Sequence, residues 1–265
     1  QHITDPKTIK EYVAEFFQEL LTNNLSIEAD NSNGFSQHVS LQENDMLCGL
    51  PTREEIKNAV FLMCPYNVAG TDRFSPLYYQ FCRDIIAQDV TEAVQDFYFG
   101  TPLPKSFEVT SVALIPKVTN LSTRANFRPI SLCNVSNKIC SKIMNERIAK
   151  ILPDISTQSQ SGFVGGRLIS DNILLAHEVI QTLEAKRRYD NVVYKLDMLK
   201  AYDRVQWQIL YDVMRKMGFN EKWIQLVRNC IKQCWFNILL NGDKAGSFQS
   251  SRGLRQGGPR HYHLL

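Results

Sequence analysis

Residues 192–207, Val-Val-Tyr-Lys-Leu-Asp-Met-Leu-Lys-Ala-Tyr-Asp-Arg-Val-Gln-Trp, set the strictest terms for the fold. Val192 to Leu196 has the β-branched and aromatic character of a strand, and it delivers the carboxylate of Asp197 at its end. Lys200-Ala201-Tyr202-Asp203 then turns the chain into an apolar-periodic helix. A single acid at the mouth of a strand suits a magnesium-dependent phosphoryl-transfer site, because Mg²⁺ takes hard carboxylate oxygen and leaves its other positions to water and substrate phosphates. A half-buried strand ending in a helix-capping turn would show the same pattern. The reading therefore depends on what else the chain carries.

The 265 residues suffice for one large domain or two modest ones with an ample core. No apolar run reaches membrane-spanning length and no signal-peptide pattern occurs, which points to an intracellular location, nuclear or cytoplasmic, without a membrane partner. Seven cysteines, an odd number without Cys-x-x-Cys spacing, read as reduced thiols, and Cys230 with Cys234 is expected on one buried helix face. The net charge of +3 is unevenly spread. Residues 1–100 hold 6 of the 30 Lys+Arg and 15 of the 27 Asp+Glu, leaving 24 and 12 to residues 101–265. The basic portion is where a polyanion would bind, although a solvated mixed surface has the same composition.

Periodicity predicts a helix from Pro6 to Leu21, capped by Asp5, then an exposed linker over 22–50. A Thr52–Glu55 capping box opens a helix through Met63, and two more helical stretches fill 75–99. Val112 to Lys117 reads as a strand and Thr119 to Asn126 as a polar turn before Phe127-Arg128-Pro129-Ile130. Helices are expected over 135–152, 170–187, 205–217 and 220–233, with a strand at 191–197. Trp235–Leu240, Asn241-Gly242 and Ser247–Ser250 form a hairpin whose turn is expected to be longer than two residues. The fold class is α+β, with helices around a small, mainly antiparallel sheet.

Four clusters carry chemistry. Lys117 and Arg128, on adjacent strands, make a clamp for a triphosphate, Arg as a planar fork and Lys as a point charge; each alone would be an ordinary surface charge. Gln160-Ser161-Gly162-Phe163, Gly165-Gly166-Arg167 and Asp171-Asn172-Ile173 offer glycines that admit a nucleic-acid strand or simply a tight loop. Tyr202 can stack under a nucleotide sugar or pack in the core, and Asp203 reads as a helix cap rather than a second metal ligand. Gly253-Leu254-Arg255-Gln256-Gly257 presents a Gln amide and open backbone after the hairpin.

These strings, in this order, resemble the reverse transcriptase domain of LINE-type (non-LTR) retrotransposons, plant versions above all. Ala69-Gly70-Thr71-Asp72-Arg73-Phe74 resembles the family's A-G-P-D-G-F element, with Thr71 and Arg73 in place of Pro and Gly. Phe127 to Leu132 matches its Arg-Pro-Ile-Ser-Leu string and Gln160 to Ile173 its Q-S-G-F…G-R-x-I-x-D-N-I block. Leu196 to Asp203 matches the first catalytic motif and Gly253 to Gly257 the G-L-R-Q-G motif. The likeness covers about 50–259 strongly and 1–50 loosely.

The resemblance implies a right-hand polymerase. Residues 1–50 would be an N-terminal helical extension with a linker, 51–195 the fingers, and 196–265 a partial palm lacking the catalytic hairpin and thumb. It implies two Mg²⁺ ions held by Asp197 with the Met198 carbonyl, triphosphate contacts from Lys117 and Arg128, a sugar gate at Tyr202, and nucleotide contacts from Gln256 and Gly257. Its partners would be an RNA template, a DNA primer, a dNTP and the remainder of a parent polyprotein. The family's Ala-Asp-Asp element is missing, no Asp-Asp pair occurs in the chain, and Gly258 and Arg260-His261-Tyr262 replace the usual Asp and Leu-Ser-Pro. Both ends read as cut edges, and the last residues as a shifted frame or splice junction. The expectation is a reverse transcriptase fragment inactive by itself; the alternatives are a non-catalytic RNA- or DNA-binding remnant and an unstable product of a decayed element.

Overall fold

A computed structural model describes residues 5–22, 37–117, 119, 126–183, 192–198, 200–232 and 234–255. Helix α1 (Pro6–Thr22) starts where expected: the Asp5 carboxylate accepts from the Thr8 amide at 2.8 Å and the Thr8 hydroxyl at 2.6 Å. The stretch expected to be linker throughout contains α2 (Leu41–Cys48). Ser40 and Glu43 form a reciprocal capping box there, an S-x-x-E signal hidden by polar surroundings. Helix α3 (Arg53–Phe61) has only half of its expected box: Thr52 accepts from the Glu55 amide at 3.2 Å, but the Glu55 carboxylate turns to Arg147.

Helices α4 (Pro76–Phe81), α5 (Arg83–Phe99) and the short α6 (Lys105–Glu108) lead into strands β1 (Val109–Pro116) and β2 (Phe127–Leu132). Helix α7 (Val135–Ile155) is the centre of the larger core; Ile139, Ile143, Ile148 and Ile151 meet Leu47, Ile56, Phe97, Tyr98, Trp223 and Val227. Next come α8 (Ile169–Leu183), α9 (Ala201–Arg204), α10 (Trp207–Lys216) and α11 (Glu221–Lys232). Cys230 and Cys234 are both buried, but not on one helix face as expected: Cys230 lies in the last turn of α11 and Cys234 beyond its end, just before the next strand. The chain then forms β3 (Trp235–Leu240) and β4 (Asp243–Gln249). Their turn is the tight Asn241-Gly242 pair, both at positive φ, and not the longer loop expected. The irregularity sits instead inside the ladder, as a register shift between Phe236 and Ile238.

The four strands make a mixed sheet in the order β2-β1-β3-β4, antiparallel except for β1 against β3. Helix α1 covers one face, where Phe17, Leu20 and Leu21 form a second core with Val112, Phe236, Ile238, Ala245 and Phe248. Gly246 permits the approach, since a Cβ there would lie 2.8 Å from that of Ala14. No described helix is long and apolar enough to cross a membrane.

The expected strand at 191–197 is not observed. Residues 192–198 run exposed and unpaired, and residue 191 lies outside the described residues. Both sides of β1 are taken, by β2 and β3, so the sheet has no central vacancy to supply ladder partners. Helix α8 likewise buries no residue, and Ile173, Leu174 and Ile180 face solvent.

The Ala69–Phe74 element wedges against the start of α7. Asn134 is fully buried; its side-chain oxygen accepts from the Asp72 amide at 3.2 Å and the Thr71 hydroxyl at 3.1 Å, while its amide donates to the Ser106 carbonyl at 3.1 Å. Arg73 adopts φ 66°, the left-handed region that glycine occupies without steric cost. Arg73→Gly is therefore expected to stabilise the chain by about 0.5–1 kcal/mol, read as a higher urea midpoint with an unchanged slope.

Candidate active site

The hairpin β1–β2 sets Arg128 opposite Ile115. Side-chain alternation puts Lys117, two residues on, on the same face, and the Lys117 amide closes the ladder on the Asn126 carbonyl at 2.8 Å. Both cations are exposed and neither makes an ion pair with a described residue. The two cations expected to clamp a triphosphate thus share one face of the hairpin.

A third cation joins them. Lys200, at the N-cap of α9, holds φ 54° and keeps its ammonium out of solvent without a hydrogen-bond partner, 4.4 Å above the Phe16 ring and 5.6 Å above Phe17. Burial pulls its pKa below the usual lysine range; Asp203 opposes this, while Lys117 and Arg204 add to it. Arg252 is depressed by burial and by Arg204. Lys117, Lys200, Arg204 and Arg252 thus share one electrostatic neighbourhood, which inspection of single motifs did not reveal.

Asp203 is buried but does not cap α9; it lies inside that helix, whose N-cap is Lys200, and its charge serves as the counter to Lys200. The cap expected from the residue type is therefore corrected. Tyr202 is half-buried in the same turn. Its carbonyl accepts from the Leu254 amide at 2.8 Å, and the Val205 carbonyl accepts from Gly253 at 2.8 Å. Trp207 completes the joint by donating its indole N–H to the Gly253 carbonyl at 2.8 Å. Gly253 needs its φ of +83°, and a Cβ there would lie 2.8 Å from the Asp203 carbonyl oxygen. Two segments some fifty residues apart in sequence are therefore locked together by backbone hydrogen bonds.

Helix α1 supports the same joint from below. The Ser251 and Arg252 amides donate to the Leu21 carbonyl at 2.9 and 3.1 Å, and Arg252 Nε to that of Leu20 at 2.8 Å, filling the acceptors that a helix end leaves open.

Asp197 and Met198 sit on the exposed 192–198 segment and take no part in the hydrogen bonds of this joint. Among the described residues no three His, Cys, Asp or Glu side chains gather as a metal site. One exposed carboxylate cannot offset the mutual repulsion of two Mg²⁺ ions, so the residues described here do not form the two-ion site expected of the family. Gln256 and Gly257 lie outside the described residues.

The glycine-rich block proves to be a clamped loop. Arg167 donates to the carbonyls of Thr157, Gln160 (2.8 Å), Pro153 (2.7 Å) and Ser156 (3.2 Å), and Asn172 reaches Ser159 and Ser161, both at 2.8 Å. Gly165 and Gly166 have no described atom within contact range of an added Cβ, so that side stays open.

Beneath the joint, Glu108 is buried with one oxygen unpartnered, and its carboxyl is pushed up to about 7 by burial, with Arg255 pulling the other way. A raised carboxyl pKa means the folded state holds the proton longer than the unfolded chain does. Stability is then lost as pH climbs from about the ordinary 4.5 toward 7. Glu108→Gln is expected to match the parent protein near pH 5 and to exceed it in urea midpoint at pH 8.

The reverse transcriptase (RNA-dependent DNA polymerase) family profile matches residues 115–260. The transposon TX1 uncharacterized 149 kDa protein of Xenopus laevis is 27% identical over 262 residues, 97% of this chain and 20% of that protein. The Pol polyprotein from the type-1 retrotransposable element R2 of Popillia japonica is 24% identical over 158 residues, 59% of this chain and 22% of its own length. That from the type-2 element R2DM of Drosophila melanogaster is 25% identical over 157 residues, 59% of this chain and 15% of its own. The chain thus spans about a fifth of the length of these curated relatives. The profile runs through the cation hairpin and both locked segments, over more than half of the residues, and the chain belongs to the reverse transcriptase family.

Proposed function

We propose that the chain is part of the reverse transcriptase domain of a non-LTR retrotransposon polyprotein, of a type similar to plant elements, and that it serves RNA-templated addition of dNTPs to a primer 3′-hydroxyl. The observation that carries this reading is the lock between Tyr202–Val205 and Gly253–Leu254, set beside the Lys117–Arg128 pair. It joins the segment read as sugar gate to the segment read as nucleotide contact, with free cations at the same site.

In the reaction the primer oxygen attacks the α-phosphorus and pyrophosphate leaves. Lys117 and Arg128 would hold the β- and γ-phosphate charge, and Arg can do so with two parallel N–H donors. Tyr202 would lie under the sugar, where a 2′-hydroxyl meets its ring. Gln256 and Gly257 would meet the nucleotide from the other side. The family uses divalent metal ions, to which this chain would contribute Asp197 and the Met198 carbonyl; the further carboxylate would come from the rest of the polyprotein. The chain alone is then a binding unit for RNA template, DNA primer and dNTP inside the cell. Residues 1–50, 51–195 and 196–265 would be extension, fingers and part of the palm.

The purified chain is expected to bind a fluorescent RNA–DNA primer–template with affinity falling steeply as salt rises, and to show no primer extension with Mg²⁺. Lys117→Ala with Arg128→Ala should weaken Mg·dATP binding by roughly a hundredfold, about tenfold per charge-assisted contact. Salt-independent RNA binding with unchanged dATP affinity in the double variant would defeat the reading. Extension of the primer by the chain without another polypeptide would defeat the claim that it is a binding unit only.

A further inference from the structure

Three ties close a triangle around the α9 turn. The first runs from the end of α1 to the exit of β4, through the Ser251 and Arg252 amides on the Leu21 carbonyl. The second runs from that exit to the turn, through the Gly253 and Leu254 amides on the Val205 and Tyr202 carbonyls. Backbone amides carry both, and the Ser251 and Arg252 side chains reinforce the first. The third returns from the turn to α1, and Lys200 makes it. Its ammonium lies 4.4 Å from the centroid of the Phe16 ring and 5.6 Å from that of Phe17, two rings set edge to face at 5.2 Å.

Stability does not account for this lysine. Its Nζ is shut off from solvent and meets no hydrogen-bond acceptor among the described residues. An ammonium so placed loses more in hydration than two ring faces return, and a methionine would fill the space without that loss. The backbone adds a second cost, for Lys200 stands at φ 54°, where glycine sits more easily. Both costs fall on the residue that opens the turn: the Lys200 carbonyl accepts from the Asp203 amide at 3.1 Å, with Tyr202 held between. On the reading of Tyr202 as the residue under the nucleotide sugar, we propose that Lys200 is a positioning residue. Its ammonium, seated on Phe16 and Phe17, fixes the turn against α1 and so sets how closely the Tyr202 ring meets the sugar. The N-terminal helix then takes part in choosing between deoxyribose and ribose.

The affinities of the full chain for Mg·dATP and Mg·ATP, which differ by the 2′-hydroxyl alone, test this. The variants are Lys200→Met, Lys200→Arg, Phe16→Leu and, as a core control, Ile139→Val. The preference for dATP should fall about tenfold in Lys200→Met and in Phe16→Leu, and no further when the two are combined, because both break one tie. Lys200→Arg keeps a cation over the rings and should restore the preference to within about threefold of the parent; Ile139→Val should leave it unchanged. Phe16→Leu carries the comparison if Lys200→Met does not fold. An unchanged preference in both, an equal loss in the control, or no rescue by arginine overturns the proposal. A parent chain indifferent to the 2′-hydroxyl overturns the sugar reading and the selecting role with it. Hydrogen exchange then decides the remaining part. The Asp203, Gly253 and Leu254 amides should exchange about tenfold faster in Lys200→Met while α3 and α5 stay within about twofold, and unaltered exchange means that Lys200 does not hold the turn.

Discussion

Replacing Arg147 with Met is expected to cost about 3–5 kcal/mol of folding stability. Arg147 is buried at the centre of the helical core, yet every face of its guanidinium is occupied. Nε and Nη2 donate to the two Glu55 oxygens at 2.8 and 2.9 Å, and Nη1 to the Leu47 and Gly49 carbonyls at 2.9 and 2.5 Å. The plane lies 4.9 Å from the Tyr98 ring centroid. The substitution leaves the half-buried Glu55 carboxylate and two carbonyls without donors, and the cost of unmade bonds outweighs the apolar gain.

Proton linkage adds a signature. Burial pushes the Glu55 carboxyl up, but the hydrogen bonds and charge of Arg147 outweigh it, so its pKa lies below the usual value of 4.5. That contribution is present above pH 4.5 and is lost as pH falls through the lowered folded value. Urea midpoints of the parent should fall on acidification through this window, and those of Arg147→Met should fall less. A midpoint unchanged by the substitution at pH 7 would contradict the account. Glu55→Gln in the same background should recover part of the loss, because the stranded charge is then gone.

Gly70→Ala is expected to destabilise by about 3 kcal/mol or more, out of proportion to one methyl group. Its Cβ would lie 2.5 Å from the Asn134 amide nitrogen and 2.6 Å from the Asn134 Cα, and would also overlap the side-chain oxygen. Relief would have to come from Asn134 itself. That residue starts α7 and carries the hydrogen bonds to Thr71, Asp72 and Ser106, so the loop and the helix would part together. Thermal melts of Gly70→Ala and Gly49→Ala separate local from general effects. A Cβ at Gly49 meets only the Asp45 carbonyl at 3.2 Å and that of Met46 at 3.8 Å, and its substitution should cost far less.

Local signals predicted local structure well. The periodicity of Pro6–Leu21, the Thr52 cap and the Asn-Gly turn each act over a few residues, and α1, α3 and the β3–β4 hairpin follow from them. Residues 192–198 show where that logic stops: strand-like residues become a strand only if another backbone offers its hydrogen bonds, and none of the described strands does. Likewise, Lys117 and Arg128 were legible as a pair because only ten residues separate them in sequence. The partnership of Lys200 with Phe16 and Phe17 crosses more than 180 residues and leaves no local trace. Arg255 was visible only as a letter in a motif; its burial against α11 and α7 is a product of packing.

The seating of α1 also dictates an order of events. This helix leaves the ribosome long before the strands it packs on, for its apolar side is completed by Phe236, Ile238 and Phe248, and its last carbonyls by Ser251 and Arg252. Some 230 residues must therefore be synthesised before Phe17, Leu20 and Leu21 find their permanent neighbours. Until then they present a sticky stripe that a chaperone would have to shield, and closing so distant a contact makes this sheet face the slow step of maturation.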